Sequence, residues 1–271
     1  MKRAFKLFGL LALSVLITAS GASAHDFWVA AEFSDGLLKA DIGYGHDFPN
    51  PEPIAEDRTQ LFEPLKLITP EGATEMAQTG SDNFHYEVKA ELKKGDYLVC
   101  GDYKPTFWAN GPEGWRQADR SKYKELTKVD ATRVQESAML AKLILNVDGA
   151  DSTNVITKPV GQRLEIVPQV NPATVKPGGR FPVKVLLDGE PVKTTDVRAV
   201  YAGFGSPFRE KDPAKNYQAF VGRTDLEGIV EIIPLKAGFW NAYVKVSIPY
   251  ADKAVADETS LTARLTFTIS D

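Results

Sequence analysis

Asp35-Gly36 lies between two runs of strand-forming residues, Phe27 to Phe33 and Leu37 to Ile42, and this constrains the fold more than any other feature. A two-residue primed turn needs positive φ, which Asp-Gly tolerates, so the two runs are expected to pair as an antiparallel hairpin. Similar punctuation recurs downstream. Asn83 to Leu92 alternates, with Phe84, Tyr86, Val88 and Ala90 on one face and His85, Glu87 and Lys89 on the other. Lys93-Lys94-Gly95 then reads as a turn into Asp96 to Cys100, which predicts a second hairpin with one face in the core. Lys104 to Trp115 is rich in turn formers and reads as an aromatic loop. Ser121 to Lys142 is charged enough to hold a helix, and Leu143 to Val147 is a strand candidate.

From Leu164 onward, short strand-like runs follow one another: Leu164 to Pro168, Phe181 to Leu187, Val197 to Tyr201, Gln218 to Arg223, Ile229 to Ile233, Asn241 to Ile248 and Leu261 to Ile269. Gly, Pro and Asp separate them, the pattern of an antiparallel sandwich. The expected fold is all-β: two antiparallel β-sandwich, immunoglobulin-like domains in tandem. Their boundary is expected near residues 150–163, giving domains 25–160 and 161–271 after a leader, 1–24. The mature length agrees with two domains at roughly 100–150 residues each.

The leader reading rests on order. Lys2, Arg3 and Lys6 precede an apolar run from Leu7 to Ala19, and Ala22-Ser23-Ala24 offers the small-x-small pattern of signal-peptidase cleavage. The run is short of the roughly 20 residues a membrane-spanning helix needs. Export to the periplasm is therefore expected, with His25 as the new N-terminus and no direct membrane insertion. Losing the three basic leader residues leaves 29 basic against 36 acidic side chains, a net charge of -7. An acidic surface argues against nucleic acid as a partner. Cys100 is the only cysteine, so the chain forms no internal disulfide. Its apolar surroundings favour a buried inert thiol over a thiolate metal ligand.

Three histidines remain to be placed. With Asp35-Gly36 as the hairpin loop, Ser34 faces Leu37, and stepping outward along both strands brings His25 opposite His46. Gly43 and Gly45 let the backbone bend beside them. An N-terminal histidine offers its α-amine and imidazole Nδ1 to one ion, and with pKa values of about 8 and about 6.5 both lose their protons readily to a metal at neutral pH. With His46 this makes three nitrogen donors, which suit nickel, cobalt, copper or zinc rather than calcium or magnesium. Asp26 and Asp47 each follow a histidine and are candidates for a carboxylate ligand or for orienting an imidazole. His85 is a further candidate ligand on the polar face of its strand.

Ala24-His25-Asp-Phe-Trp-Val29 and Gly45-His46-Asp-Phe-Pro49 resemble a family of bacterial periplasmic proteins catalogued as a domain of unknown function, which includes the accessory component of nickel and cobalt uptake transporters. Tyr103-Lys-Pro-Thr-Phe-Trp108, Leu164-Glu-Ile-Val-Pro168 with Asn171-Pro172, Asp188-Gly-Glu-Pro-Val192, Thr224-Asp-Leu-Glu-Gly228 and Gly238-Phe-Trp240 extend the resemblance over nearly the whole mature chain. It implies a periplasmic metal-binding role, with His25 and His46 at the matching histidine positions and a membrane metal transporter as partner. The aromatic loop matches only loosely.

Three functions compete at this level. A non-enzymatic protein that binds a divalent transition metal, nickel or cobalt, for a membrane uptake system is the first. A copper enzyme that cleaves polysaccharides oxidatively through an N-terminal histidine is the second, with Tyr44 or Trp28 as the neighbouring aromatic. The lack of internal disulfides weighs against it. An adhesion or carbohydrate-binding module with incidental histidines is the third.

Overall fold

The computed structural model describes residues 25–80, 84–205 and 217–271. The leader, 1–24, and Asn83 at the start of the second expected hairpin lie outside these residues. Strands are numbered in chain order. β1 (Asp26–Ser34) and β2 (Leu37–Gly45) form the expected hairpin, with Ser34 facing Leu37 and Asp26 facing Gly45. Asp35 and Gly36 both have positive φ, as the turn requires. β6 (His85–Lys89) pairs with β2, and β5 (Ala77–Thr79) with β6, completing a four-stranded sheet in the order β1-β2-β6-β5.

The second expected hairpin does not form. β7 (Gly95–Asn110) leaves β6 and enters a different sheet, where it pairs with β8 (Arg133–Val147) and β3 (Lys66–Thr69). Alternation correctly assigns the faces of residues 84–90, but it says nothing about which strand lies alongside. The supposed aromatic loop is also largely strand: β7 runs through Trp108 to Asn110, with an irregularity between Tyr103 and Thr106. A helix does occur between β7 and β8, but α1 covers only Arg120–Thr127. Asp119 caps it by accepting from the Lys122 N–H at 2.7 Å, and Lys128 ends it in the left-handed region at φ 66°. Residues from Arg133 to Lys142 belong to β8 instead.

The large sheet has eight strands, ordered β13-β12-β15-β16-β8-β7-β3-β4. Its other members are β4 (Gly72–Glu75), β12 (Asp196–Tyr201), β13 (Phe220–Arg223), β15 (Gly238–Pro249) and β16 (Glu258–Ile269). Strands from both halves of the sequence therefore share one sheet, joined where β8 and β16 pair in parallel from Gln135–Glu258 to Leu143–Thr266. A third, smaller sheet contains β9 (Leu164–Pro168), β10 (Phe181–Leu187), β11 (Glu190–Pro191) and β14 (Ile229–Ile232). Residues 148–163, between β8 and β9, carry no strand.

Burial shows how the layers stack. Tyr97, Val99, Ala141, Leu143 and Leu145 join one core with Phe27, Val29, Leu38 and Ile42 from the first sheet. Their neighbours Leu98, Cys100, Leu140 and Ile144 point the other way, into a core with Ile166, Phe181, Val183, Trp240 and Phe267. The protein is thus a pair of β-sandwiches built on opposite faces of a common sheet. Being buried on both sides accounts for the near-continuous apolar run Ala138 to Leu145, broken by Lys142. Lys142 is satisfied by Glu165, with Nζ 2.9 Å from Oε2, in a pair that is almost wholly buried. Burial pushes the Cys100 thiol up to about 12, so it is a packing residue and not a ready thiolate. Asp96 also ties the halves together, accepting from Asn146 at 2.7 Å, Ser152 at 3.1 Å and Asn171 at 2.6 Å.

Candidate metal centre

One step beyond the last β1–β2 pair, Asp26 with Gly45, the chain brings the imidazoles of His25 and His46 together, with ring centroids 4.3 Å apart. Side-chain size decides whether the hairpin can close here. Trp28 faces Gly43, and a Cβ on Gly43 would stand 2.0 Å from the indole Cε2, so the indole occupies the space a side chain would need. On its other side the His25 ring stacks against Tyr44, 4.6 Å away and within 10° of parallel.

After His46 the chain reverses. The Asn50 N–H donates to the Asp47 carbonyl at 2.5 Å, and the Asn50 amide donates to the Asp47 carboxylate at 3.1 Å. The Glu52 N–H then donates to the Tyr44 carbonyl at 2.7 Å, which returns Glu52 to the end of the hairpin. Its carboxylate accepts from the His46 N–H at 2.9 Å through Oε1, and Oε2 lies 3.2 Å from His25 Nε2. This close approach needs Gly45, whose φ is +153°, and a Cβ there would stand 3.0–3.2 Å from Glu52. We therefore expect Gly45→Ala to displace Glu52 and weaken metal binding by roughly 10-fold, with the fold otherwise intact, as checked by calorimetry and far-UV circular dichroism.

His25, His46 and Glu52 form a half-buried cluster whose candidate ligand atoms all lie within 4.8 Å of one another. Two donors at about 2.0–2.2 Å from one ion are separated by roughly 3–4 Å, so a small contraction would close the set. Burial lowers the pKa of His25 below its usual 6.5, and the neighbouring His46 adds to the effect; Glu52 opposes it, and Arg58 lowers it further. Its imidazole accordingly stays neutral, with a lone pair available, to lower pH than an exposed histidine.

The other candidates from the sequence sit elsewhere. The Asp26 carboxylate pairs with Arg264, a buried residue of β16, and stands outside the cluster. Asp47 closes the turn that delivers Glu52. His85 pairs with Asp41 across β2 and β6, its Nδ1 2.6 Å from Oδ1. Four strand steps take Asp41 to Gly45, about 13 Å at roughly 3.3 Å per step, so His85 stands outside the cluster. Glu52 was not apparent from the sequence; its one signal is that Pro51 and Pro53 frame it, restricting the chain just after a histidine. Trp108 connects with the site indirectly: the Arg58 guanidinium lies 5.2 Å above its ring, and Arg58 Nη1 donates to the Tyr44 hydroxyl at 3.5 Å.

Fold and cluster together define a β-sandwich protein with two histidines and a carboxylate converging at the end of its first hairpin. The chain belongs to the family described as "Domain of unknown function (DUF4198)", whose model matches residues 22–247. No curated protein sequence matches it. Among solved structures it is similar to the D0-D1 domain of Intimin, at 12% identity over 90% of this chain and 98% of that one, with a TM-score of 0.22. It is also similar to native alpha-2-macroglobulin from Escherichia coli spanning domains MG0-NIE-MG1, at 12% identity over 92% of this chain and 73% of that one, with a TM-score of 0.21.

Proposed function

We propose that this protein binds a divalent transition metal ion in the periplasm, with nickel or cobalt as its cargo although copper would bind such donors most tightly, and passes it to a membrane metal-uptake system. The observation that carries this reading is the convergence of His25, His46 and Glu52 at one hairpin end. Two imidazoles and one carboxylate form a borderline donor set of the kind first-row transition ions favour, and calcium and magnesium, which prefer all-oxygen shells, do not. If the leader is removed after Ala24, the free α-amine of His25 adds a fourth donor. The resemblance to accessory components of nickel and cobalt transporters supports the choice of cargo and destination.

Titrating protein that begins at His25 with nickel, cobalt, copper and zinc tests this directly. Saturable one-to-one binding is expected. Losing a group that merely orients a ligand typically costs 10–100-fold in metal affinity. His46→Ala, which removes a ligand, should therefore weaken binding by about 100-fold or more, and Glu52→Gln by roughly 10–100-fold. Histidine variants that bind as well as the parent protein would end the proposal. The stacking of Tyr44 on His25 keeps a second reading in view, a copper-dependent oxidative enzyme. Peroxide-driven cleavage of a polysaccharide by the copper-loaded protein would favour it. Absence of metal binding would leave an adhesion or carbohydrate-binding module.

A further inference from the structure

Among the described residues Arg58, Arg116 and Arg198 hold no carboxylate within ion-pair distance, and of these three only Arg58 is half-buried rather than exposed. Arg120, Arg133, Arg163, Arg180, Arg223 and Arg264 each hold a carboxylate within ion-pair distance. Arg58, which lies half-buried in the 3-10 turn Glu56–Leu61, forms no ion pair among the described residues. Its one side-chain hydrogen bond among the described residues is the long contact to the Tyr44 hydroxyl at 3.5 Å, and its guanidinium carbon lies 5.2 Å over the Trp108 ring. A planar fork held in place but lacking an acceptor is a ready receptor for a carboxylate, because little side-chain freedom is lost on binding.

Its position connects it to the metal cluster. Arg58 meets the hydroxyl end of Tyr44, and His25 stacks on the ring of that same tyrosine. About one phenol ring therefore separates the guanidinium from the candidate ligands. The protein donors also leave the ion incomplete. Glu52 contributes a single negative charge against a divalent cation, and nickel or cobalt in six-coordination would keep open positions beyond His25, His46, Glu52 and an α-amine.

We propose that the ion is bound as a complex with a small polycarboxylate chelator, one part of which coordinates the metal while a second carboxylate is held by Arg58. This inference rests on the metal-binding reading above and adds the chemical class of the co-ligand. Alternative sources of negative charge fit less well: a polycarboxylate such as citrate has separate carboxylates, one to ligate the ion and one for a guanidinium, whereas the charged oxygens of a phosphate monoester all sit on one phosphorus atom.

Equilibrium dialysis with radiolabelled citrate provides the test, using protein that begins at His25. Nickel alone, citrate alone and nickel with citrate are compared for the parent, Arg58→Gln and Arg58→Lys. The parent is expected to retain citrate stoichiometrically only when nickel is present. A charge-assisted bidentate contact predicts about tenfold weaker citrate retention for Arg58→Gln, with Arg58→Lys intermediate, while nickel alone binds both variants at least as tightly as the parent, since Arg58 places a like charge near His25. The proposal is overturned if citrate strips nickel from the parent, or if Arg58→Gln retains nickel–citrate as well as the parent does. Failure of the parent to bind nickel in either form would instead refute the metal-binding reading itself.

Discussion

Lys142→Met is expected to destabilise the protein by about 3–5 kcal/mol, because it leaves Glu165 charged in the interior without its partner. The two side chains are 1% and 2% exposed, with Nζ 2.9 Å from Oε2. Glu165 would keep only the N–H groups of Val160, at 3.0 Å, and Gly161, at 2.6 Å. Two neutral donors do not balance a buried carboxylate. Lys142→Met combined with Glu165→Leu should recover a large part of the loss, since an apolar pair of similar volume is often neutral or better. Recovery should be incomplete, because the Val160 and Gly161 amides then lose their acceptor. Urea unfolding of the parent and both variants measures this. A cost below about 1 kcal/mol for the single change would mean that water reaches the pair and the two layers are not closed over it.

The other large effect concerns His25, which becomes the first residue if the leader is removed as proposed. Keeping even one residue ahead of His25 turns its α-amine into a peptide amide, which does not offer a lone pair to a metal at neutral pH. We expect the extended protein to bind nickel about 100-fold more weakly than the form that begins at His25, while far-UV circular dichroism and Tm stay unchanged. The cluster of His25, His46 and Glu52 remains in both forms, so residual binding is expected. Calorimetry on the two preparations decides the matter, and equal affinities would show that the terminus is not a ligand. Acidification should release the ion once His25 protonates, and because burial holds its pKa below 6.5 this loss falls at lower pH than it would for an exposed histidine.

The site was partly readable because one local rule sets its geometry. Asp35-Gly36 fixes the turn, the turn fixes the register, and the register carries His25 to His46 without knowledge of the rest of the molecule. Glu52 escaped for the opposite reason. It arrives through a chain reversal around Asp47 and Asn50, held by individual hydrogen bonds that have no periodic trace. The alternation of Phe84 to Ala90 reported a buried face but not a neighbour, so β6 was matched to β7 when its partners are β2 and β5. Charge was misleading between Ser121 and Lys142, because polar residues at the start of β8 hid a strand that becomes apolar on both sides. The all-β sandwich character was evident throughout; the sharing of one sheet was not, because the β8–β16 pairing joins residues more than a hundred positions apart.

That shared sheet bears on how bound cargo could leave. Proteins that close on a ligand like a clamshell need a pivot between two lobes, and a continuous hydrogen-bonded ladder through β8 and β16 supplies none. Within the rim of residues 46–52, Phe48 is buried against Trp28 and Phe239, so only the Glu52 end rests on single hydrogen bonds near the surface. On the metal-carrier reading proposed above, an ion would therefore leave by local displacement of Glu52 and not by movement of one lobe against another.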